Sequence, residues 1–312
     1  MILTVTLNAA IDKTYSIDNF AIDRIHRPSS WEIAPGGKGI NVARVYKELG
    51  GDAIATGFIG GHNGDFIVDG LRKEGIQHDF VRTGGESRVC IAIVDHTQRT
   101  QTEINEVGPI VTLEELDRLL LKFESLVQGM EYAVLSGSIP PGMPETIYRD
   151  LAAICTKYGV RCVLDASGEP LARGIEGRPY LVKPNIHELS TLLGRPVGTV
   201  EEAAEAAVKY IQTGIQVFIV TFGRDGAIAA DSTGVYRAKT PVIQFVSAVG
   251  SGDSFISAFI FALQSGRPVS EALRLGTAAG AANAATYGAG FCKKDDILRL
   301  AEEVELCRLD EV

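Results

Sequence analysis

Chemistry in this chain is densest at Ala248-Val249-Gly250-Ser251-Gly252-Asp253-Ser254-Phe255. Gly250 and Gly252 permit backbone conformations that a Cβ forbids, and let a ligand approach the main chain. Asp253 puts one carboxylate directly after them. The Ala-, Ile- and Phe-rich run from Ser254 to Leu263 predicts a buried helix. A turn feeding a helix N-terminus favours an anion through its free N–H groups and its dipole. A carboxylate beside such an anion hole can act as a general base, deprotonating a hydroxyl that attacks a phosphate. Taken alone, a tight turn with Asp253 as a helix cap is the commoner arrangement. The rest of the chain has to decide.

A second glycine-rich turn, Pro35-Gly36-Gly37-Lys38-Gly39-Ile40-Asn41-Val42-Ala43-Arg44, opens a helix predicted to run to about Leu49. It can present the Gly37 backbone, the Lys38 cation and the Asn41 amide to an anionic or polyhydroxyl ligand. No Ser or Thr follows Lys38, so it is not a Walker A loop. Three glycines and an asparagine exceed what turning requires. Arg88 begins an alternating strand, Arg88 to Val94, with Thr102 to Glu106 pairing back. A guanidinium there could bind phosphate bidentately, although an edge-strand arginine facing water is the ordinary case. Asp12, shortly after a predicted strand over Ile2 to Leu7, meets a ligand or closes an Asx turn; the two are even.

The elements that must position these residues follow a βαβ rhythm, which predicts a mostly parallel sheet. Strand after strand ends in a polar or glycine-rich turn: at Asn8, Gly60, Ser136-Gly137-Ser138, Asp165, Lys183-Pro184-Asn185 and Thr221-Phe222-Gly223. In an open parallel sheet such turns share the edge where ligands bind. Thr112 with Glu115 predicts a capping box opening a helix over Leu113 to Gln128. The expected architecture is one α/β domain over residues 1–312, with a small β-sheet lid from about 15–34 and 86–106.

Composition sets the outer bounds. Of 312 residues, 46% are hydrophobic and 22% charged, as in a globular protein with a sizeable core. A net charge of −9 argues against non-specific binding to nucleic acid or an anionic membrane. The five cysteines form no CxxC pair and the five histidines no metal-ligand spacing. A reducing cytoplasm is the expected setting.

With these residues in view, the whole chain resembles the ribokinase-like, phosphofructokinase-B type carbohydrate kinases. Gly36 to Ala43 is similar to the family's N-terminal signature and Val249 to Asp253 to its C-terminal one. Lys183-Pro184-Asn185 with Glu188, and Thr221 with Gly223 and Gly226, resemble its nucleotide-side motifs. Thr6-Leu7-Asn8 with Asp12, Asn105-Glu106-Val107-Gly108-Pro109 and Asp165-Ala166-Ser167-Gly168-Glu169 resemble the phosphosugar branch. Arg88-Val89-Cys90-Ile91-Ala92-Ile93 leans toward the tagatose-6-phosphate kinase type. Two departures are Asn8-Ala9-Ala10 in place of Asn-Pro, and Ala248 where the signature carries Thr, Ser, Pro or Val.

The resemblance implies a three-layer ribokinase-like fold and ATP with Mg²⁺. Asp253 would be the general base, and Gly250, Ser251 and Gly252 would form the anion hole. Lys183, Asn185, Thr221, Gly223, Gly226 and Asn283 would meet the nucleotide. Glu188 and Asp165 would hold the metal through water. Asp12, Gly37, Asn41 and Ser138 would meet the sugar, with Lys38 and Arg88 on its standing phosphate. The implied reaction phosphorylates a ketohexose monophosphate to the 1,6-bisphosphate, with tagatose 6-phosphate favoured over fructose 1-phosphate or fructose 6-phosphate. A non-catalytic sugar- or nucleotide-binding module is the rival from another class. A homodimer through the lid is the expected assembly, with no nucleic acid or membrane partner.

Overall fold

The computed structural model describes residues 1–309. Its centre is built from short β-branched, apolar runs that are buried along most or all of their length, as parallel strands covered on both faces must be. In chain order the first elements are β1 (Ile2–Thr6), β2 (Ala10–Ser16), β3 (Ser30–Gly36), α1 (Lys38–Glu48), β4 (Ala53–Ile59), α2 (Gly61–Glu74), β5 (Gln77–His78), β6 (Val81–Arg82), β7 (Arg88–Asp95) and β8 (Thr100–Asn105). Then follow α3 (Leu113–Val127), β9 (Tyr132–Ser136), α4 (Ile147–Lys157), β10 (Arg161–Asp165), α5 (Gly168–Glu176), β11 (Leu181–Val182), α6 (Ile186–Leu193), α7 (Val200–Gln212) and β12 (Val217–Thr221). The chain closes with β13 (Ala227–Asp231), β14 (Gly234–Lys239), α8 (Ser251–Gln264), α9 (Val269–Ala284), α10 (Lys294–Glu303) and β15 (Glu305–Leu309).

The large sheet runs β15-β14-β13-β12-β11-β10-β9-β1-β4-β5, with β6 also on β4. From β5 to β12 neighbours are parallel; the β13, β14 and β15 side is antiparallel. One face carries α1, α2, α8 and α9, the other α3, α4 and α7, giving three layers. The predicted capping box opens α3: Glu115 donates its N–H to the Thr112 hydroxyl, and the Glu115 carboxylate accepts from the Thr112 N–H.

The second, small sheet, ordered β3-β2-β7-β8, stands where the sequence suggested a lid, and is called the lid below. It begins earlier than the sequence suggested, at Ala10 in place of residue 15. The three residues between β1 and β2 carry the chain directly from the large sheet into the small one. Asp12 therefore sits inside a lid strand, opposite Ala34 and Cys90, and does not close an Asx turn. Strand alternation gives the lid two unlike faces. Asp12, Thr14, Ala34, Cys90 and Asn105 line a pocket, while Trp31, Ile33 and Ile104 are exposed on the other side.

Candidate active site

The glycine-rich turn of the sequence is formed by the start of α8. Gly250 is its N-cap with φ of 81°, a left-handed conformation that favours glycine, and a Cβ there would lie 2.7 Å from Ala289 Cα. The Ser251 N–H donates to Ala248 O at 3.2 Å, which removes it from the expected anion hole. The N–H groups of Gly250, Gly252 and Asp253 have no protein acceptor among the described residues, so the free donors are shifted from those the sequence suggested. Asp253 lies in the first turn of α8, 5% exposed, and accepts from Asn41 Nδ2 at 2.8 Å. Burial pushes its pKa up to about 6, against the pull of Lys38 and with Asp165 adding to the rise.

Lys38 starts α1, and Lys183 follows β11. Both reach the same oxygen, Asp165 Oδ1 at the end of β10, at 3.2 Å and 3.3 Å. Asp165 is fully buried. Burial alone would raise its pKa, but the two lysines outweigh that and hold it below the usual value. For Lys38 too, burial opposes the charge, and the carboxylates of Asp165, Asp253 and Glu188 together raise its pKa. A Cβ on Gly252 would meet Lys183 Nζ at 3.5 Å, so this cation lies against the glycine run. The two lysines therefore share one carboxylate at the junction with Asp253. The sequence had assigned them to opposite substrates.

Arg88, at the foot of β7, is elsewhere. Its Nε donates to Asn8 O at 3.0 Å and its Nη1 to Glu106 O at 3.2 Å. Nη2 has no partner among the described residues, and no carboxylate pairs with the side chain. Ser138 is close by, with Asn8 Nδ2 3.4 Å from its hydroxyl. Arg88 acts on Asp12, whose pKa burial raises to about 6 against Arg44 and with Asp253 adding. Gly36 makes room for Asp12: a Cβ there would fall 2.1 Å from its Cγ. Gly37 is the N-cap of α1, beside them.

A cavity of about 660 Å³ opens on the other side of the α8 turn, lined by Thr221, Gly223, Gly226, Ser251, Gly252 and Thr277 among others. Asn185 and Glu188 stand at the head of α6, where they form a capping box: Asn185 Oδ1 accepts from the N–H of His187 and Glu188, and Glu188 Oε2 accepts from the Asn185 N–H. Asn283 does not face the cavity. It is fully buried in α9, donates to Val249 O at 2.7 Å and accepts from the Gly290 N–H at 2.7 Å. With both ends of its amide engaged, it braces the turn before α8.

The sequence reading missed Glu32 and Glu103 in the lid pocket, and gave Cys90 and Asn105, quoted only within longer motifs, no role of their own. Alternation along the lid strands was the signal available. It also passed over Arg44, named only as the end of a glycine-rich run.

Residues 5–296 match the model of the pfkB family carbohydrate kinases. The chain belongs to that family. It is a phosphotransferase acting on a sugar hydroxyl. It is 36% identical to the 1-phosphofructokinase of Bacillus subtilis over 309 residues, 99% of this chain and 100% of that one. Phosphofructokinase-2 from Escherichia coli, solved in complex with fructose-6-phosphate, is 29% identical with a TM-score of 0.89, over 96% of this chain and 98% of that one. The Arabidopsis thaliana ribokinase complexed with ribose and ATP has a TM-score of 0.75 at 23% identity, over 96% of this chain and 98% of that one, and shows the shared ribokinase-like fold. No helix among the described residues is long and apolar enough to cross a membrane.

Proposed function

We propose that this pfkB kinase uses ATP to phosphorylate a ketohexose monophosphate to the 1,6-bisphosphate, with Asp253 as the general base. The observation that carries the reading is Asp253 itself. It is a buried carboxylate held by Asn41 in the first turn of α8, beside free N–H groups at Gly250 and Gly252. Asp253 would take the proton of the sugar hydroxyl, whose oxygen then bonds to the γ-phosphorus of ATP as the bond to ADP breaks. The amides and helix dipole would stabilise charge on the equatorial oxygens. Lys38 and Lys183, gathered on Asp165, would face the transferring phosphoryl group. Thr221, Gly223 and Gly226 would line the nucleotide. Arg88, with Ser138 beside it, would hold the phosphate already on the sugar, and Asp12, Gly37 and Asn41 the hydroxyls.

No group of three or more His, Cys, Asp or Glu able to hold a metal occurs among the described residues, so a protein cage does not fit. A Mg²⁺ that keeps its waters and rides on the nucleotide phosphates does fit. Glu188 has one oxygen beyond its capping contact to hold such a water. Asp165 keeps such an oxygen too: its Oδ1 is taken by two lysines, but its Oδ2 is buried with no partner among the described residues. The ion would neutralise phosphate charge.

Fructose 1-phosphate as acceptor is supported by the likeness to the Bacillus subtilis 1-phosphofructokinase along the whole chain. Tagatose 6-phosphate is supported by the Arg88-to-Ile93 strand. Initial rates with fructose 1-phosphate, tagatose 6-phosphate and fructose 6-phosphate test the reading. The highest kcat/KM identifies the acceptor, and activity on unphosphorylated ribose alone would overturn it. The exposed outer face of the lid, with Trp31 65%, Ile33 42% and Ile104 55% exposed, supports a homodimer formed through it.

A further inference from the structure

Arg44 is 7% exposed and lies behind the base. Arginine carries five N–H donors and no acceptor, and here every donor is used. Nε and Nη2 donate to the two oxygens of Glu74 in α2, at 2.8 Å and 3.1 Å. Nη2 also donates to Pro35 O in the lid strand β3, at 2.7 Å. Nη1 donates to Ala289 O at 2.8 Å and to Asn41 Oδ1 at 2.9 Å. The guanidinium lies 4.5 Å from the centre of the Phe291 ring.

The contact with Asn41 has a consequence for the base. A group that can only donate must meet the amide oxygen of Asn41, so the amide nitrogen is turned the other way. There it donates to Asp253 Oδ2 at 2.8 Å. An inverted amide would set a carbonyl oxygen against the carboxylate. We propose that Arg44 is a positioning residue of phosphoryl transfer: it fixes the orientation of the Asn41 amide, and thereby keeps Asp253 ready to accept a proton. The bonds to Pro35 and Ala289 extend the same control. Ala289 precedes Gly290, whose N–H is held by Asn283, and Asn283 holds Val249 O beside the catalytic turn. One side chain thus ties the foot of the lid to the loop behind the anion hole.

The inference rests on Asp253 being the base, and a double-mutant cycle separates the two. Arg44→Met and Asn41→Ala are made singly and together, and the acid limb of kcat against pH is measured for each. Lys38, Lys183, Asp165 and Asp12 also face Asp253 and remain in every variant. Donation by Asn41 lowers the pKa of Asp253, so Arg44→Met should move the limb up by about one pH unit. In the Asn41→Ala background it should move it no further, because the residue through which it acts is gone. KM for the nucleotide should stay within about twofold, as the change acts on the chemical step.

A full shift in both backgrounds would overturn the inference, since Arg44 would then act through its charge alone, on Asp12 as well as Asp253. No shift in either would also overturn it. Should Arg44→Met not fold, Arg44→Lys is read in the same two backgrounds. It keeps the charge and loses the fixed fork, so a shift confined to the Asn41 background is expected of it as well. Asp253→Asn distinguishes the readings: retained turnover refutes the base, whereas lost turnover with an unmoved limb in Arg44→Met refutes only the positioning role.

Discussion

Around Asp253 the charged side chains already hold one another, whereas the cavity beside Gly223 and Gly226 contains a single charged residue, Arg224. At the junction, Lys38 and Lys183 share Asp165, and Asn41 is fixed between Arg44 and Asp253. These groups come from α1, the ends of β10 and β11, and α8. Charges set in place before substrate arrives need no reorganisation during the reaction, and that is where electrostatic catalysis gains most. The cavity is lined instead by small and apolar groups such as Ala248, Ala281, Ile243 and Phe255. A planar base would be recognised there by shape, with contacts that add up gradually. The junction should fail steeply and non-additively, the cavity by degrees.

The steepest failure is expected at Asp165→Asn. Removing one partner of a buried ion pair leaves charge uncompensated, here two lysines, and costs about 3–5 kcal/mol of stability. Chemical denaturation would read that loss, and kcat should fall by about 100-fold or more as both cations lose their anchor. The sign of the pH effect follows from the pKa of Asp165. Its folded value is held below the ordinary 3.8. Its contribution is therefore complete at neutral pH and is lost as pH falls below 3.8 through the folded value. An Asp165→Asn enzyme as stable and active as the wild type would erase the contrast between the two regions.

Arg88→Ala comes next. Losing a charge-assisted contact to phosphate should raise KM for the phosphosugar by about 10- to 100-fold. KM for ATP should hold, because Arg88 lies at the root of the lid and not at the junction. Equal loss toward both substrates would move Arg88 into the transfer machinery. In the cavity, Ala284→Phe adds bulk to the lining and should raise the KM for ATP by about tenfold, with kcat at saturation little changed. A collapse of kcat would show that the cavity, too, is part of the preset constellation.

Titration gives the mildest test. Asp253 and Asp12 both have a pKa of about 6. A base must be ionised, so kcat/KM should be flat above about pH 7 and fall as the pH drops through 6. An acid limb near pH 4 would mean that burial does not raise the base.

The same contrast explains what the sequence could reveal. Polar turns at strand ends are local features, and with them the sheet edge and the α8 turn were legible before any coordinates. So was the capping box of Thr112 and Glu115. Asn185 and Glu188 have the same spacing, but their likeness to a nucleotide motif drew attention away from their helix-capping bonds. The pairing of Lys38 with Asp165 spans 127 residues, and that of Asn41 with Asp253 spans 212. No periodicity reports such contacts. Asn283 illustrates the same limit: the resemblance points it at the nucleotide, while Val249 and Gly290 use both ends of its amide. The small sheet begins at Ala10 because three residues suffice to leave one sheet and enter another, and no turn signal marks so short a link.

The central claim is that Asp253 takes the proton from the acceptor hydroxyl. Asp253→Asn keeps the shape and the Asn41 neighbour but removes the base. ADP release that depends on both ATP and phosphosugar should fall by about 10²- to 10⁴-fold at pH 8, with ATP affinity by calorimetry unchanged within about twofold. Turnover near the wild-type rate in that variant would contradict the account.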